Sequence, residues 1–249
     1  MSRYDFAAQR LFVDAPLAPA ARIAPPAEAL NYLRNVLRMR EGDAIIVFNG
    51  RDGEWRAHLA EVTRRSAVLA IDEKLREQTA PGDIHYAFAP LKQARQDYMA
   101  QKAAEMGASR LIPVITRRTQ ARRVNEARLR ANVIEAAEQC GVLTLADVDA
   151  AVDLPDFLAA LEPRRLLVFC DEDAGVADPS AALRGVPPHE GVVVLIGPEG
   201  GFDAGERAQI LQHPTLARLS LGPRILRADT AAVAALALVQ THFGDWRGQ

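Results

Sequence analysis

The sequence predicts an α/β protein in two parts: a small β-rich module over residues 1–74, then a mostly parallel sheet covered by helices over residues 75–249. Three observations lead there. Val192-Val193-Val194-Leu195-Ile196 is apolar and largely β-branched without alternation, as in a strand buried on both faces. From Ile84 onward, strand-like and helix-like segments alternate, the rhythm of parallel βαβ construction. Before that, short strand-like segments surround a Gly50-Arg51-Asp52-Gly53 turn string, in which Asp-Gly supplies the positive φ that tight hairpins need.

Taken in order, Ala27–Leu37 reads as a short helix with Leu30, Leu33 and Leu37 on one face. Ala44–Asn49 is a strand. Glu54–Val62 returns from the turn with Trp55, Ala57 and Leu59 at alternate positions, and Ala67–Asp72 is a third strand. The polar stretch Lys74–Gly82 ends in Ala-Pro-Gly and reads as a linker. Beyond it come a strand over Ile84–Ala89, a helix over Gln93–Met106 stopped by Gly107, and a strand over Leu111–Ile115. A helix over Asn125–Gln139 has Asn125 as its cap. Leu166–Cys170 and Val192–Ile196 are strands. Asp203–Leu211 is a helix opened by a capping box of Asp203 and Glu206. Ala217–Leu221 is a strand, and Thr230–Phe243 is the last helix. Ala231 to Val239 is small and apolar around nearly the whole circumference, so that helix must be covered on several sides.

At 249 residues with 49% hydrophobic and 25% charged residues, the chain has the balance of a soluble globular protein. The start carries no apolar signal region and no stretch is long enough to span a bilayer, so the expectation is a cytoplasmic protein with no membrane contact. Two cysteines, Cys140 and Cys170, make neither a disulfide framework nor a metal site, and each is expected to be a buried thiol; no metal is expected. A net charge of −2 excludes a global pull towards nucleic acid. Arginine is nevertheless clustered at 34, 38 and 40, at 117, 118, 122 and 123, at 128 and 130, and at 224 and 227. Such clusters are either solvated faces or phosphate-binding patches.

Two C-terminal segments carry the chemistry. The strand at 192–196 runs into Gly197-Pro198-Glu199-Gly200-Gly201-Phe202, and a second strand runs into Leu221-Gly222-Pro223-Arg224-Ile225-Leu226-Arg227-Ala228-Asp229-Thr230-Ala231. Glycine loops at the carboxyl ends of strands in an open α/β sheet are where ligands bind. The first loop is not a P-loop, because no Gly-Lys-Ser/Thr follows, and it lacks Gly-x-Gly-x-x-Gly dinucleotide spacing. Two such loops side by side build one wall of a cofactor site from backbone groups.

These segments, in this order with a short helix between, resemble the 16S ribosomal RNA uridine-N3 methyltransferases of the SPOUT superfamily, which use S-adenosylmethionine (SAM). Arg10-Leu11-Phe12, Tyr32–Arg38 and Lys102–Gly107 agree more weakly. The resemblance implies a PUA-like β-barrel RNA-binding domain over 1–74 and a SPOUT methyltransferase domain with a C-terminal trefoil knot over 75–249. It implies SAM contacts from Leu195, Ile196, Gly197, Glu199, Gly200 and Gly201 on one loop. On the other it implies contacts from Leu221, Gly222, Ile225, Leu226 and Arg227, with Phe169, Cys170 and Asp171 completing the pocket.

The acceptor of the family, N3 of a uridine, carries a proton that must leave. Glu199 and Asp229 are the candidate bases, and Arg227 and Arg10 are candidates to stabilise the uridine anion. RNA phosphate falls to Arg10, Arg34, Arg38, Arg117, Arg118, Arg122 and Arg123. The implied partners are 16S rRNA, within the assembled 30S subunit, and a second copy of the chain paired through the last helix.

The chain departs from the family in three places. Ala228-Asp229-Thr230 stands where Thr-Glu-Thr is frequent, Cys140–Ala146 lacks the usual arginine and proline, and Tyr32 replaces a histidine. Two other functions compete: a SPOUT enzyme acting on transfer RNA or a ribose 2′-hydroxyl, and a non-catalytic RNA-binding ribosome-assembly protein.

Overall fold

A computed structural model of the chain describes residues 8–175 and 178–247. It divides into two compact units, one of residues 1–80 with 137–145, the other of residues 81–136 with 146–249.

The first unit holds β1 (Arg10–Phe12), β2 (Arg22–Ile23), α1 (Ala27–Asn31), β3 (Ala44–Phe48), β4 (Glu54–Ala60) and β5 (Val68–Arg76). A π-helical turn over Tyr32–Val36 extends α1, where sequence spacing predicts one continuous helix. The sheet order is β1-β3-β4-β5-β2, antiparallel except for the β1–β3 pair. Trp55, Ala57 and Leu59 face the core together with Leu33, Val47 and Leu69, while Leu30 and Leu37 pack on its rim. Gly50 and Gly53 both have positive φ, and a Cβ on Gly53 would collide with the Arg76 carbonyl, so glycine is required there twice over. The expected linker begins later than Lys74, because β5 continues to Arg76.

Residues 137–145 pack with this unit. Phe48, Ala137 and Leu143 form a small apolar cluster with Phe12, Val142 and Leu145. Cys140, expected to be buried, is exposed at the end of its helix.

The second unit runs β6 (Ile84–Phe88), α2 (Gln93–Glu105), β7 (Arg110–Ile115) and α3 (Glu126–Cys140), with residues 137–140 of α3 belonging to the first unit. It continues with β8 (Asp147–Val148), β9 (Val152–Asp153), α4 (Leu154–Ala160), β10 (Leu166–Cys170), α5 (Pro179–Arg184), β11 (Val192–Ile196), α6 (Ala204–Ile210), β12 (Leu216–Leu219) and α7 (Ala228–Phe243). Strands lie in the order β12-β10-β11-β6-β7-β8, with β9 also on β7, and every pairing is parallel. β11 is buried along its whole length, as its unbroken apolar run requires. It lies between β10 and β6, and β12 lies on the far side of β10. The carboxyl ends of the last three strands therefore meet at one edge of the sheet.

The helix ends obey the local rules. Asn125 Oδ1 accepts from Arg128 N at 3.0 Å, and Asp203 and Glu206 complete the capping box of α6. α7 buries Ala228, Ala232, Ala235, Leu236, Val239 and Gln240 as one stripe and leaves Val233, Ala234, Ala237 and Leu238 partly exposed. Gln240 donates to the Met106 carbonyl at 2.7 Å and accepts from Asp245 N at 3.0 Å. Gly107 ends α2 with φ +76°, and a Cβ there would meet the Gln240 amide. Among the described residues no helix is long and apolar enough to cross a membrane, and no group of three His, Cys, Asp or Glu could hold a metal ion.

Candidate active site

The carboxyl ends of β10, β11 and β12 open into one pocket. Its walls are the turn from Phe169 to Asp173, the loop from Ile196 to Phe202, and the loop from Leu219 to Leu226, with Arg207 of α6 and Ala228 and Ala231 of α7 closing it. A pocket at strand carboxyl ends, where the strand order doubles back, is the expected place for a ligand in an open parallel sheet.

The first loop leaves β11 with its strand register fixed on both sides, Leu195 opposite Phe169 and Ile196 opposite Phe88. Pro198 to Gly201 form a turn closed by Gly201 N donating to the Pro198 carbonyl at 2.8 Å, with Gly201 at φ +67°. Gly197 is required for a different reason. A Cβ there would lie 2.6 Å from the ring of Phe202, which itself packs edge-on to Phe169 at 5.4 Å between centroids. The loop is also held from outside. Arg118 Nη1 donates to the Gly200 carbonyl at 2.6 Å, Arg117 pairs with Asp203 at 2.9 Å, the Arg117 amide donates to Glu206 at 2.7 Å, and Arg95 pairs with Glu199.

The second loop is open. Gly222 has φ +98° with nothing within 4 Å of an added Cβ, and the Ile225 side chain is 95% exposed. Arg224 lines the pocket, whereas Arg227 caps α7 outside it. The guanidinium groups of Arg224 and Arg227 have no hydrogen-bond or ion-pair partner among the described residues, and the Arg227 carbonyl accepts from Ala231 N at 2.8 Å.

Asp171 stands 4% exposed at the end of β10. Arg207 donates to it at 3.0 and 3.3 Å, Arg218 at 2.8 Å, and the Asp173 amide at 3.1 Å. Burial works to raise its pKa, but the two guanidinium groups more than offset that and hold it below the ordinary carboxylate value. Burial, with the Asp171 charge beside it, pushes the Cys170 thiol up to about 12, so it stays protonated and inert as a nucleophile.

Of the residues expected to bind cofactor, Ile196, Gly197, Glu199, Gly201, Leu221, Gly222, Ile225 and Leu226 line the pocket, as do Phe169, Cys170 and Asp171. Leu195, Gly200 and Arg227 do not. Leu195 points into the apolar core, and a Cβ on Gly200 would face the Arg118 side chain. Asp229 sits in the first turn of α7, its carboxylate accepting from Thr230 N at 2.8 Å, and the cap position belongs to Arg227.

Arg10 needs correction. Expected at RNA and at the reaction centre, it is 5% exposed inside the first unit, paired with Glu54 at 2.7 Å and stacked 4.2 Å over Phe48. Its remaining donors go to the carbonyls of Ala137, Glu138 and Val142. A guanidinium so buried and so fully bonded has nothing left for phosphate or a base. Among the other expected RNA contacts, Arg34 donates to the carbonyls of Thr63 and Arg64 at 2.7 and 2.8 Å, and Arg38 is exposed at φ +57°. Arg117 and Arg118 are tied to the glycine loop and α6, while Arg122 and Arg123 are exposed and have no such partner among the described residues.

Sequence reasoning missed Arg95, Arg207 and Arg218, whose partners lie 104, 36 and 47 positions away and leave no local signal. Phe202, by contrast, closes the glycine string itself and could have been taken as the reason for Gly197.

Comparison with known proteins agrees with this geometry. Residues 78–240 match the family model of the RNA methyltransferase domain, and residues 25–72 match that of the RNA methyltransferase PUA domain. The ribosomal RNA small subunit methyltransferase E of Synechocystis is 30% identical over 93% of this chain and 77% of its own. The chain belongs to this RNA methyltransferase family. The enzyme of the same name from Rickettsia conorii is 29% identical over 93% of this chain and 94% of its own. A crystal structure of a family member, the ribosomal RNA small subunit methyltransferase E from Neisseria gonorrhoeae bound to S-adenosyl methionine, superposes with a TM-score of 0.84. It is 26% identical over 96% of this chain and 100% of that one. The first unit is accordingly PUA-like, and the second is the methyltransferase domain.

Proposed function

We propose that this chain transfers a methyl group from SAM to N3 of a uridine in the 16S rRNA of the small ribosomal subunit. The observation that carries the reading is the single pocket built by two glycine loops at the ends of β10, β11 and β12, in the fold that a SAM-bound relative shares.

The residues present fit SAM. Gly201 and Gly222 place bare backbone at the wall through positive φ, and Leu221, Ile225 and Leu226 offer apolar surface to an adenosine ring. The carboxylates of Glu172 and Asp173 line the same pocket without a side-chain hydrogen bond or ion pair among the described residues, which suits a cationic cofactor. When bound, SAM supplies an electrophilic methyl group on a sulfonium that needs no further activation. The protein has then to bind, orient and handle one proton. Glu199, which lines the pocket and pairs with Arg95, and Asp229, in the first turn of α7, are the candidates to accept the uridine N3 proton. Arg227, whose guanidinium has no partner among the described residues, is the candidate to stabilise the uridine anion. Arg34, Arg38, Arg122 and Arg123 hold RNA phosphate in this reading, and Arg117 and Arg118 hold the glycine loop. The partly exposed apolar residues of α7 are the pairing surface for a second copy, and the C-terminal knot belongs to the same reading.

Calorimetric titration should give saturable SAM binding. Mass-spectrometric mapping of 16S rRNA from a strain lacking the gene should then find one N3-methyluridine missing, restored by the wild-type chain. A missing methyl on transfer RNA or on a ribose 2′-oxygen would replace the target, and absence of SAM binding would remove the enzyme reading altogether.

A further inference from the structure

Asp171 lines the pocket, yet its carboxylate has no capacity left for a ligand. Oδ1 accepts from the Asp173 amide at 3.1 Å and Arg207 Nε at 3.3 Å, and Oδ2 accepts from Arg207 Nη2 at 3.0 Å and Arg218 Nε at 2.8 Å. Two carboxylate oxygens offer about four acceptor sites, and all four are taken. The donors come from three different walls. Arg207 belongs to α6, which begins directly after the first glycine loop. Arg218 belongs to β12, which runs directly into the second. Asp173 belongs to the turn after β10. Two further bonds complete the junction: Asp171 N donates to the Leu219 carbonyl at 3.0 Å, and Arg218 Nη2 donates to the Asp173 carbonyl at 2.7 Å.

We propose that Asp171 is the positioning residue of the cofactor pocket, a saturated buried carboxylate that fixes the two glycine loops and the 170–174 turn relative to one another without touching the cofactor. Its chemistry suits that task. Arg207 and Arg218 have side chains about one-third exposed, whereas that of Asp171 is 3% exposed, so the anion is the buried centre and the cations are its outer clamps. Replacing the anion by a neutral amide leaves two guanidinium groups facing each other across the junction. The amide also presents a donor where only acceptors fit. The loops then lose their common anchor, although each keeps its own turn geometry.

The inference rests on the reading that this pocket binds SAM. The experiment is calorimetry with SAM, alongside initial rates at saturating SAM and RNA, on wild type, Asp171→Asn and Arg218→Lys. Asp171→Asn should weaken SAM binding at least tenfold while changing kcat less than about threefold and leaving RNA affinity unchanged. Arg218→Lys keeps the charge but cannot reach both Asp171 Oδ2 and the Asp173 carbonyl, and should weaken SAM binding by a smaller factor of about three. The Lys variant also keeps the test decisive if the Asn variant fails to fold. Unchanged SAM affinity in either folded variant overturns the positioning role. A large fall in kcat at saturating SAM overturns it in favour of direct contact with the reacting atoms. If wild type itself binds no SAM, the functional reading fails rather than this one.

Discussion

Among the described residues two buried carboxylates are each clamped between two arginines, and they do different things. In the PUA-like unit, Glu54 is 2% exposed between Arg10 at 2.7 Å and Arg76 at 2.5 Å. In the methyltransferase unit, Asp171 is 4% exposed between Arg207 and Arg218. The arginines of Glu54 spend their other donors on the carbonyls of residues 137, 138, 141 and 142, stitching a distant segment to the sheet. The arginines of Asp171 join the loops that line a pocket. The same charge motif therefore serves the fold in one unit and ligand geometry in the other. What separates them is where the arginines stand: those of Glu54 reach on to the 137–142 carbonyls, whereas Arg207 follows the first glycine loop and Arg218 precedes the second.

The largest effect expected from this contrast is on Glu54→Gln. It strands the Arg10 cation in a dry site and should cost about 3–5 kcal/mol in urea unfolding, as breaking a buried pair does. SAM affinity of the folded fraction should not move. If it falls in step with stability, the division of labour between the two clusters is wrong.

Next comes Gly197→Ala, which drives a methyl group against the Phe202 ring. Overpacking of this kind costs about 1–3 kcal/mol and should weaken SAM binding roughly tenfold. Adding Phe202→Leu should recover part of both; no recovery would mean that Gly197 is needed for the cofactor alone.

Acid separates the clusters further. For Glu54, burial favours the neutral form, but hydrogen bonds and charge from Arg76 and Arg10 win, so its pKa lies below the ordinary 4.5. A depressed folded-state pKa contributes stability above the unfolded value and loses it as pH falls through the folded one. Stability of the PUA-like unit, followed by Trp55 fluorescence, should thus be level above about pH 5 and decline below about 4.5. The Asp171 contribution, also from a depressed pKa but with an ordinary value of 3.8, should begin to fall only at a lower pH than that of Glu54. Glu54→Gln should abolish the first decline and leave the second.

A smaller effect distinguishes free arginines from tied ones. Arg122→Gln with Arg123→Gln should flatten the log–log salt dependence of RNA binding by about 0.7–0.9 per lost phosphate contact. Arg118→Gln should instead loosen SAM binding, because its guanidinium holds the Gly200 carbonyl. The mildest change is Gly200→Ala, whose Cβ meets only the Arg118 side chain at 3.5 Å and should alter stability and SAM affinity by less than about 0.5 kcal/mol.

Much of this architecture was legible in the chain because the signals were local. The strands at 166–170 and 192–196, the capping box at Asp203 and the stop at Gly107 each depend on residues within one turn or strand. The alternation at Trp55, Ala57 and Leu59 likewise named the buried face of β4. What escaped was set by distance or by brevity. The two-residue strands β8 and β9 are shorter than any periodic pattern can reveal, and α4 follows β9 without a gap. Arg10 was misplaced because its composition suggests phosphate, while its surroundings come from residues 44 and 127 positions away. In the pocket, the glycine strings pointed to the right loops. The direction each Cβ would take, inward at Gly201 and towards Arg118 at Gly200, is a property of the folded turn.

The discontinuity of the PUA-like unit bears on how the chain comes to be active as it is made. Its sheet is complete once residue 76 has emerged, but Arg10, Arg76 and the Phe48 surface wait for residues 137–145, more than fifty positions later. The cofactor pocket waits longer again, for Ala228 and Ala231 of α7 to close it and for Gln240 to fasten the far end of that helix to Met106. A nascent chain thus passes through a long interval with a finished sheet, a Glu54 cluster whose arginines still lack their carbonyl acceptors, and no place for SAM. Methyl transfer becomes possible only after the last helix has docked, so a half-made enzyme cannot act on the RNA around it.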